Sequence, residues 1–160
     1  MSWTVIDSPV GVLRLVEQDG ALTMIEFSPF RENDGRPRGE RDDRQPVLVE
    51  TARQLAAYFV RDLKEFDLPL APVGTDFQQV VWKALCEIGY GETSSYGQLA
   101  HAIGKSNAAS RAVGLANGRN PIPIVIPCHR VIGANGTLTG YAGGLDRKQK
   151  LLELEQDALF

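Results

Sequence analysis

The alternation of apolar and polar residues changes character about halfway along the chain. Near the start, "WTVID", "GVLRLV" and "ALTMIEF" are short clusters of β-formers parted by Ser8-Pro9 and Asp19-Gly20, the pattern of an antiparallel β-meander. Residues 31–46, "RENDGRPRGERDDRQP", are charged and rich in glycine and proline, which predicts a mobile surface loop. Leu48, Ala52, Leu55 and Phe59 then recur at spacings of four, three and four, and this places them on one face of a helix. "EFDLPL" can add a strand, and "APVGT" reads as the joint to a second half.

That second half follows a helical period. Thr75 with Gln78 forms a capping box for "DFQQVVWKALCEI". "TSSYGQLAHAIG" starts at a serine cap and stops at Gly104, a C-terminal cap. After Lys105-Ser106-Asn107 comes "AASRAVGLANG", a further helix capped by Asn107 and ended by Gly118. Two short helices around a Gly-containing turn fit either a generic helix pair or a helix-turn-helix. The second of them has one charged side chain, Arg111, among small residues. That is too little to read base edges in the major groove. It suits close approach to a backbone or the minor groove, with little sequence preference.

Composition adds bounds. With 160 residues, 43% of them hydrophobic and 23% charged, the chain fits one soluble domain or two small ones sharing a core. No apolar run approaches the ~18 residues that would span a bilayer. The start, "MSWTVIDSPVG", lacks a basic flank and an apolar stretch, so no secretory signal is expected. Cys86 and Cys128 make a poor disulfide framework; free thiols in the cytoplasm are the expectation. The net charge of -3 is uneven, since no Asp or Glu occurs between Glu92 and Asp146 while Lys105, Arg111, Arg119 and Arg130 do. Such a span serves a polyanion-facing surface or a buried small-residue segment equally well.

The chemistry converges on "NPIPIVIPCHRVIG". An ordinary thiol, of pKa ~8.5, is only a few per cent ionised near neutrality, so a nucleophilic Cys128 needs a base. His129 is adjacent, but successive side chains on an extended segment point to opposite faces. A bridging water or a sharp turn after Pro127 has to close that gap. The histidine needs an orienting acceptor in turn, and Glu153 and Glu155 in "KQKLLELEQ" both qualify. Cys86, on the amphipathic "WKALCEI", is expected as a buried small hydrophobe.

"IPCHRVIG", preceded by "GRNPIPIV" and followed by "GTLTGYAGGLDRKQKLLELE", resembles the O6-alkylguanine-DNA alkyltransferase family, as do "TDFQQVVWKALCEIGYGETSSYGQLA" and "ASRAVGLANGRNP". The likeness runs from Thr75 to Glu155; residues 1–70 share only the family's layout. It implies an α+β fold. A small N-terminal antiparallel sheet with a helix, in a ribonuclease-H-like layout (1–72), would precede a mostly helical C-terminal domain (73–160) with a winged helix-turn-helix. Cys128 would be the alkyl acceptor, His129 its water-mediated base, and Glu155 the group polarising His129. Tyr96 would help rotate the target nucleotide and donate a hydrogen bond to the guanine. Arg111 would fill the space left by the flipped base, and Asn120 would join the DNA-binding helices to the active segment. Ser95, Lys105, Ala109, Ala112, Gly114 and Asn117 would complete the DNA-facing set. The Cys128 and Val131 carbonyls would accept from the exocyclic amine. Tyr141, Ala142 and Gly143 would contribute to the pocket wall, within a lid of residues 140–144. Ala142 departs from the serine of some members, which removes one hydroxyl contact to the base.

The implied partner is double-stranded DNA carrying alkylated bases, bound through its minor groove by a chain that is monomeric in solution, with cooperative packing on DNA as an option. No cofactor is expected, and no zinc, because residues 1–74 contain neither Cys nor His. Three other readings compete. A cysteine hydrolase needs a Cys-His pair in direct contact; a zinc module needs paired short ligand spacings that Cys86, His101, Cys128 and His129 lack. A lesion sensor without chemistry would have no need of the nucleophile in "PCHR".

Overall fold

The computed structural model describes residues 1–157. The chain divides into two compact units that meet between Val73 and Gly74. In the first, β1 (Ser2–Ile6), β2 (Leu13–Gln18) and β3 (Ala21–Phe27) form the expected antiparallel meander. A two-residue strand, β4 (Glu40–Arg41), joins the outer edge of β1 in parallel, so the sheet is mixed, in the order β3-β2-β1-β4. Gly39 turns the chain into β4 at φ +73°, and a Cβ there would overlap the Met1 carbonyl. Only glycine fits that entry.

Helix α1 (Pro46–Phe59) packs against β1, β2 and β3. Its buried stripe is Val47, Leu48, Thr51, Leu55 and Tyr58, whereas Ala52 and Phe59 are only partly covered. The apolar face is thus rotated from the expected Leu48–Ala52–Leu55–Phe59 line, because the aromatic that enters the core is Tyr58. Leu13 and Leu15 of the central strand are likewise sealed from solvent. "EFDLPL" forms no strand: Leu70 makes a single bridge to Leu22.

The loop expected to be mobile is anchored by charge. Arg14 and Arg38 are nearly buried, and both hold Glu26, with Arg14 Nε donating to Oε2 at 2.6 Å and Arg38 Nη2 to Oε1 at 2.6 Å. Arg38 also bonds Asp34 at 2.8 Å. Composition alone counts these residues as solvated; their pairing across the sheet makes them interior.

The second unit begins at the Thr75/Gln78 capping box of α2 (Asp76–Leu85). A second box, Ser95 with Gln98, opens α3 (Tyr96–Ala102), and Gly104, at φ +80°, ends the turn after it. Residues Asn107–Ala109 form a separate 3-10 turn, so α4 starts at Ser110 (Ser110–Gly118) with Ala109 at its cap, and Asn107 is not the cap expected of it. Helices α2, α3 and α4 pack on one another around Val81, Trp82, Leu85, Leu99 and Val113, and Trp82 Nε1 donates to the Ala116 carbonyl at 2.8 Å. A parallel pair, β5 (Ser94–Ser95) with β6 (Val131–Ile132), and helix α5 (Leu145–Asp157) complete the unit. Cys86 lies just past the end of α2 and is exposed. The expectation that it belongs to the core fails: the buried stripe of α2 is Val81, Trp82 and Leu85, and Cys86 falls outside it.

Candidate active site

The site begins where α4 runs into proline. Pro121, Pro123 and Pro127 cannot donate to a ladder and resist helix, so Ile122–Ile126 cross the interior as irregular chain. Ile124 adopts φ +74°, a costly conformation for a β-branched residue. Asn120 stabilises this segment from within: its Nδ2 donates to the Ile126 carbonyl at 2.8 Å and its Oδ1 accepts from Ile122 N at 3.0 Å. The chain then tightens into a 3-10 turn over Cys128–Arg130. The segment expected to be extended is therefore a sharp turn at Cys128–Arg130.

Cys128 is 4% exposed. Burial pushes its thiol up to about 11, while the Asn120 amide, the Lys148 ammonium and the Tyr141 hydroxyl pull the other way. At neutral pH the resting sulfur is therefore protonated. His129 is sealed from solvent, and burial holds its pKa below the ordinary value against the opposing pull of Glu155. Its Nε2 bonds Glu155 Oε2 at 2.7 Å. Burial works to raise the Glu155 pKa, but hydrogen bonds and charge from His129 and Arg130 win and hold it at about 2. An ionised carboxylate only accepts, so Nε2 carries the hydrogen and Nδ1 is the basic nitrogen. That Nδ1 is buried and has no hydrogen-bond partner among the described residues. Glu153, the other carboxylate, is exposed and bonds Gln149 instead.

Two cations near the site differ from the sequence reading. Arg130, counted on a possible polyanion-facing surface, is 6% exposed. Its guanidinium grips Glu155 at 2.9 and 3.0 Å and donates to the Ile88 carbonyl. It neutralises the carboxylate and so limits how far Glu155 favours a charged imidazole. Lys148 went unnoticed in the sequence. It is completely buried, and its Nζ donates to the Val131 carbonyl at 2.5 Å and to the Thr139 carbonyl at 3.2 Å. The signal was present: Lys148, Leu151 and Glu155 share one face of α5 at helical spacing, and all three are buried.

Tyr96 opens α3 directly after the Ser95 cap. Its ring lies beside Gly114 of α4, where an added Cβ would sit 3.6 Å away, and its hydroxyl bonds Thr139 Oγ1 at 2.5 Å. Ala109 and Gly114 are partly covered, while Lys105, Arg111 and Ala112 are exposed on this helix pair. Asn117, expected among the DNA-facing residues, is turned inward. It is 3% exposed, and its Nδ2 faces the Cys128 carbonyl at 3.5 Å. Val113, Ala116 and Asn117 form the inner face of α4, so Asn117 braces the active turn from behind. Tyr141 and Gly143 are partly covered and Ala142 is exposed, all on the loop before α5.

The arrangement is a buried thiol with a neutral imidazole, an acceptor-fixed tautomer and a flanking phenol. Comparison with known proteins adds to this. Residues 76–157 match the family model described as 6-O-methylguanine DNA methyltransferase, DNA binding domain, and residues 1–72 match the ribonuclease-like domain of the same enzymes. A methylated-DNA--protein-cysteine methyltransferase of Methanosarcina barkeri is 52% identical over 99% of this chain and 99% of its own. One from Mycobacterium bovis is 52% identical over 94% of this chain and 90% of its own. Among solved structures, Mycobacterium tuberculosis OGT in complex with DNA superposes with a TM-score of 0.90 at 50% identity, over 99% of this chain and 94% of that one. An O6-methylguanine DNA methyltransferase from Methanococcus jannaschii gives 0.68 at 28% identity, over 96% and 93%.

Proposed function

The chain belongs to the 6-O-methylguanine DNA methyltransferase family, and from that premise we propose that it repairs duplex DNA by moving the alkyl group of O6-alkylguanine, and of O4-alkylthymine, onto Cys128. It acts as a methylated-DNA–protein-cysteine methyltransferase. The observation that carries the reading is the buried Cys128 thiol on the turn that also delivers His129 to Glu155.

A thiol sealed inside the protein cannot meet a stacked base, so the target nucleotide swings out through the minor groove at a cost of a few kcal/mol. Arg111, exposed on α4, fills the vacated stack and offsets part of that cost. Tyr96, Val131, Tyr141, Ala142 and Gly143 receive the base. Water on His129 Nδ1 takes the thiol proton as Sγ bonds the alkyl carbon. The carbon–O6 bond breaks, its electron pair leaves with guanine, and Tyr96 supplies the proton the base then needs. Exchange with solvent returns His129 and Tyr96 to their starting states. In sum, the thiol hydrogen ends on guanine and the alkyl group on sulfur. A thioether is no leaving group, and Cys86 lies exposed at the end of α2 rather than at the thiol. One chain repairs one lesion.

The test is a duplex carrying labelled O6-methylguanine. One equivalent of label per chain should move to Cys128, and Cys128→Ser should take up none. Sustained turnover, or label elsewhere, would reject the reading.

A further inference from the structure

Thr139 lies on the loop between β6 and α5, inside the "GTLTGYAGGLDRKQKLLELE" stretch, where the sequence assigned it no role. The structure fixes it twice. Its carbonyl accepts from the buried Lys148 ammonium at 3.2 Å, and the same ammonium binds the Val131 carbonyl at 2.5 Å. Its hydroxyl meets the Tyr96 hydroxyl at 2.5 Å. A buried cation therefore ties the loop to the active turn, and the position of Thr139 Oγ1 follows from that tie.

We propose that Thr139 is a positioning residue for alkyl transfer, orienting and polarising the Tyr96 phenol through the Tyr96–Thr139 hydroxyl pair. This rests on the role given to Tyr96 under the proposed function. A hydroxyl both donates and accepts, and its hydrogen rotates freely. When Tyr96 donates to the departing base, the Thr139 hydrogen can turn toward the phenol oxygen. The phenol oxygen gains negative charge as its proton moves to guanine. A donor already aimed at that oxygen stabilises the charge as it develops, with no reorganisation at that moment. No proton leaves Thr139, whose hydroxyl only hydrogen-bonds. Its contribution accordingly falls on bond breaking and leaves the initial hold on DNA alone.

The experiment measures single-turnover transfer from a duplex carrying O6-methylguanine, separating the saturating rate from the Kd for the duplex. Thr139→Val keeps the shape and removes the hydroxyl. It should lower the saturating rate about fivefold, the factor of one neutral hydrogen bond, with the Kd within about twofold. Thr139→Ser should restore the rate. In a Tyr96→Phe background, Thr139→Val should cause no further loss, because there is no phenol left to polarise. Equal losses from Thr139→Val in both backgrounds, a change confined to the Kd, or failure of serine to rescue overturns the inference while the role of Tyr96 stands. A Tyr96→Phe protein as fast as wild type rejects the role of Tyr96 itself.

Discussion

Replacing Glu155 by Gln tests the electrostatic core of the site. The carboxylate is 1% exposed and accepts from His129, Arg130 and the Gly91 amide. The variant leaves the Arg130 charge buried beside a neutral amide. Lowering the Glu155 pKa from 4.5 to about 2 corresponds to about 3 kcal/mol of stability at neutral pH. Breaking a buried ion pair from one side costs ~3–5 kcal/mol, in agreement. The sign with pH follows from the depressed folded value. The contribution is complete above the unfolded pKa of 4.5 and drains as pH falls toward 2, so the wild-type advantage should shrink by about 1 kcal/mol between neutrality and about pH 4. Burial holds the His129 pKa below its ordinary value against the opposing pull of Glu155, so at neutral pH its imidazole enters the comparison uncharged. Urea unfolding read by fluorescence in a Trp3→Phe background isolates Trp82, the remaining tryptophan, which is 2% exposed in the second unit. An advantage under about 1 kcal/mol at neutral pH, or one that widens toward about pH 4, would refute the reasoning.

Arg111→Ala should slow repair of duplex lesions far more than reaction with a free alkylated base, measured side by side; equal losses would remove Arg111 from the flipping step. With Arg130 committed to Glu155, the acid-free span offers Lys105, Arg111 and Arg119 to phosphate, so the log–log salt slope of duplex binding should lie near about -2.7, rather than the roughly -3.6 of four contacts. Alkylation of Cys128, which is 4% exposed, should lower unfolding stability by ~1–3 kcal/mol through overpacking around the buried sulfur, seen as a lower Tm after reaction with a small alkylated base.

The sequence marked the parts of this molecule that depend on near neighbours along the chain. Thr75 with Gln78 and Ser95 with Gln98 cap α2 and α3, because a capping box closes over three residues. Gly104 ends the turn after α3 for an equally local reason. What stayed hidden depends on distant partners. Arg38 and Glu26 look like solvent-facing charges until the loop folds back over the sheet and pairs them. Arg130 looks like a phosphate contact until α5 brings Glu155 to it, 25 residues away. Asn117 shares α4 with Arg111, yet packing against the active turn sends it inward. Spacing leaves Glu153 and Glu155 open because the choice is one of helical phase against an unknown neighbour; the family resemblance names Glu155, and it is Glu155 that bonds His129.

If one chain serves one lesion, as the proposed function has it, the protonation state of the pocket bears on why such a protein would keep its nucleophile buried. With burial pushing the Cys128 pKa up to about 11, the thiolate is a rare minority at neutral pH. A permanently ionised sulfur would react with any small electrophile that reached it, and each such event would consume a chain. The arrangement instead keeps thiol and imidazole both neutral, and Arg130 shares Glu155 so that the carboxylate does not force a proton onto His129. Ionisation then has a use only when an electrophilic carbon already occupies the pocket, because the new sulfur–carbon bond discharges the sulfur as it forms. Burial thus makes the reaction selective: the desolvation that suppresses the free thiolate is relieved in the transition state, where the charge passes from sulfur to the departing base.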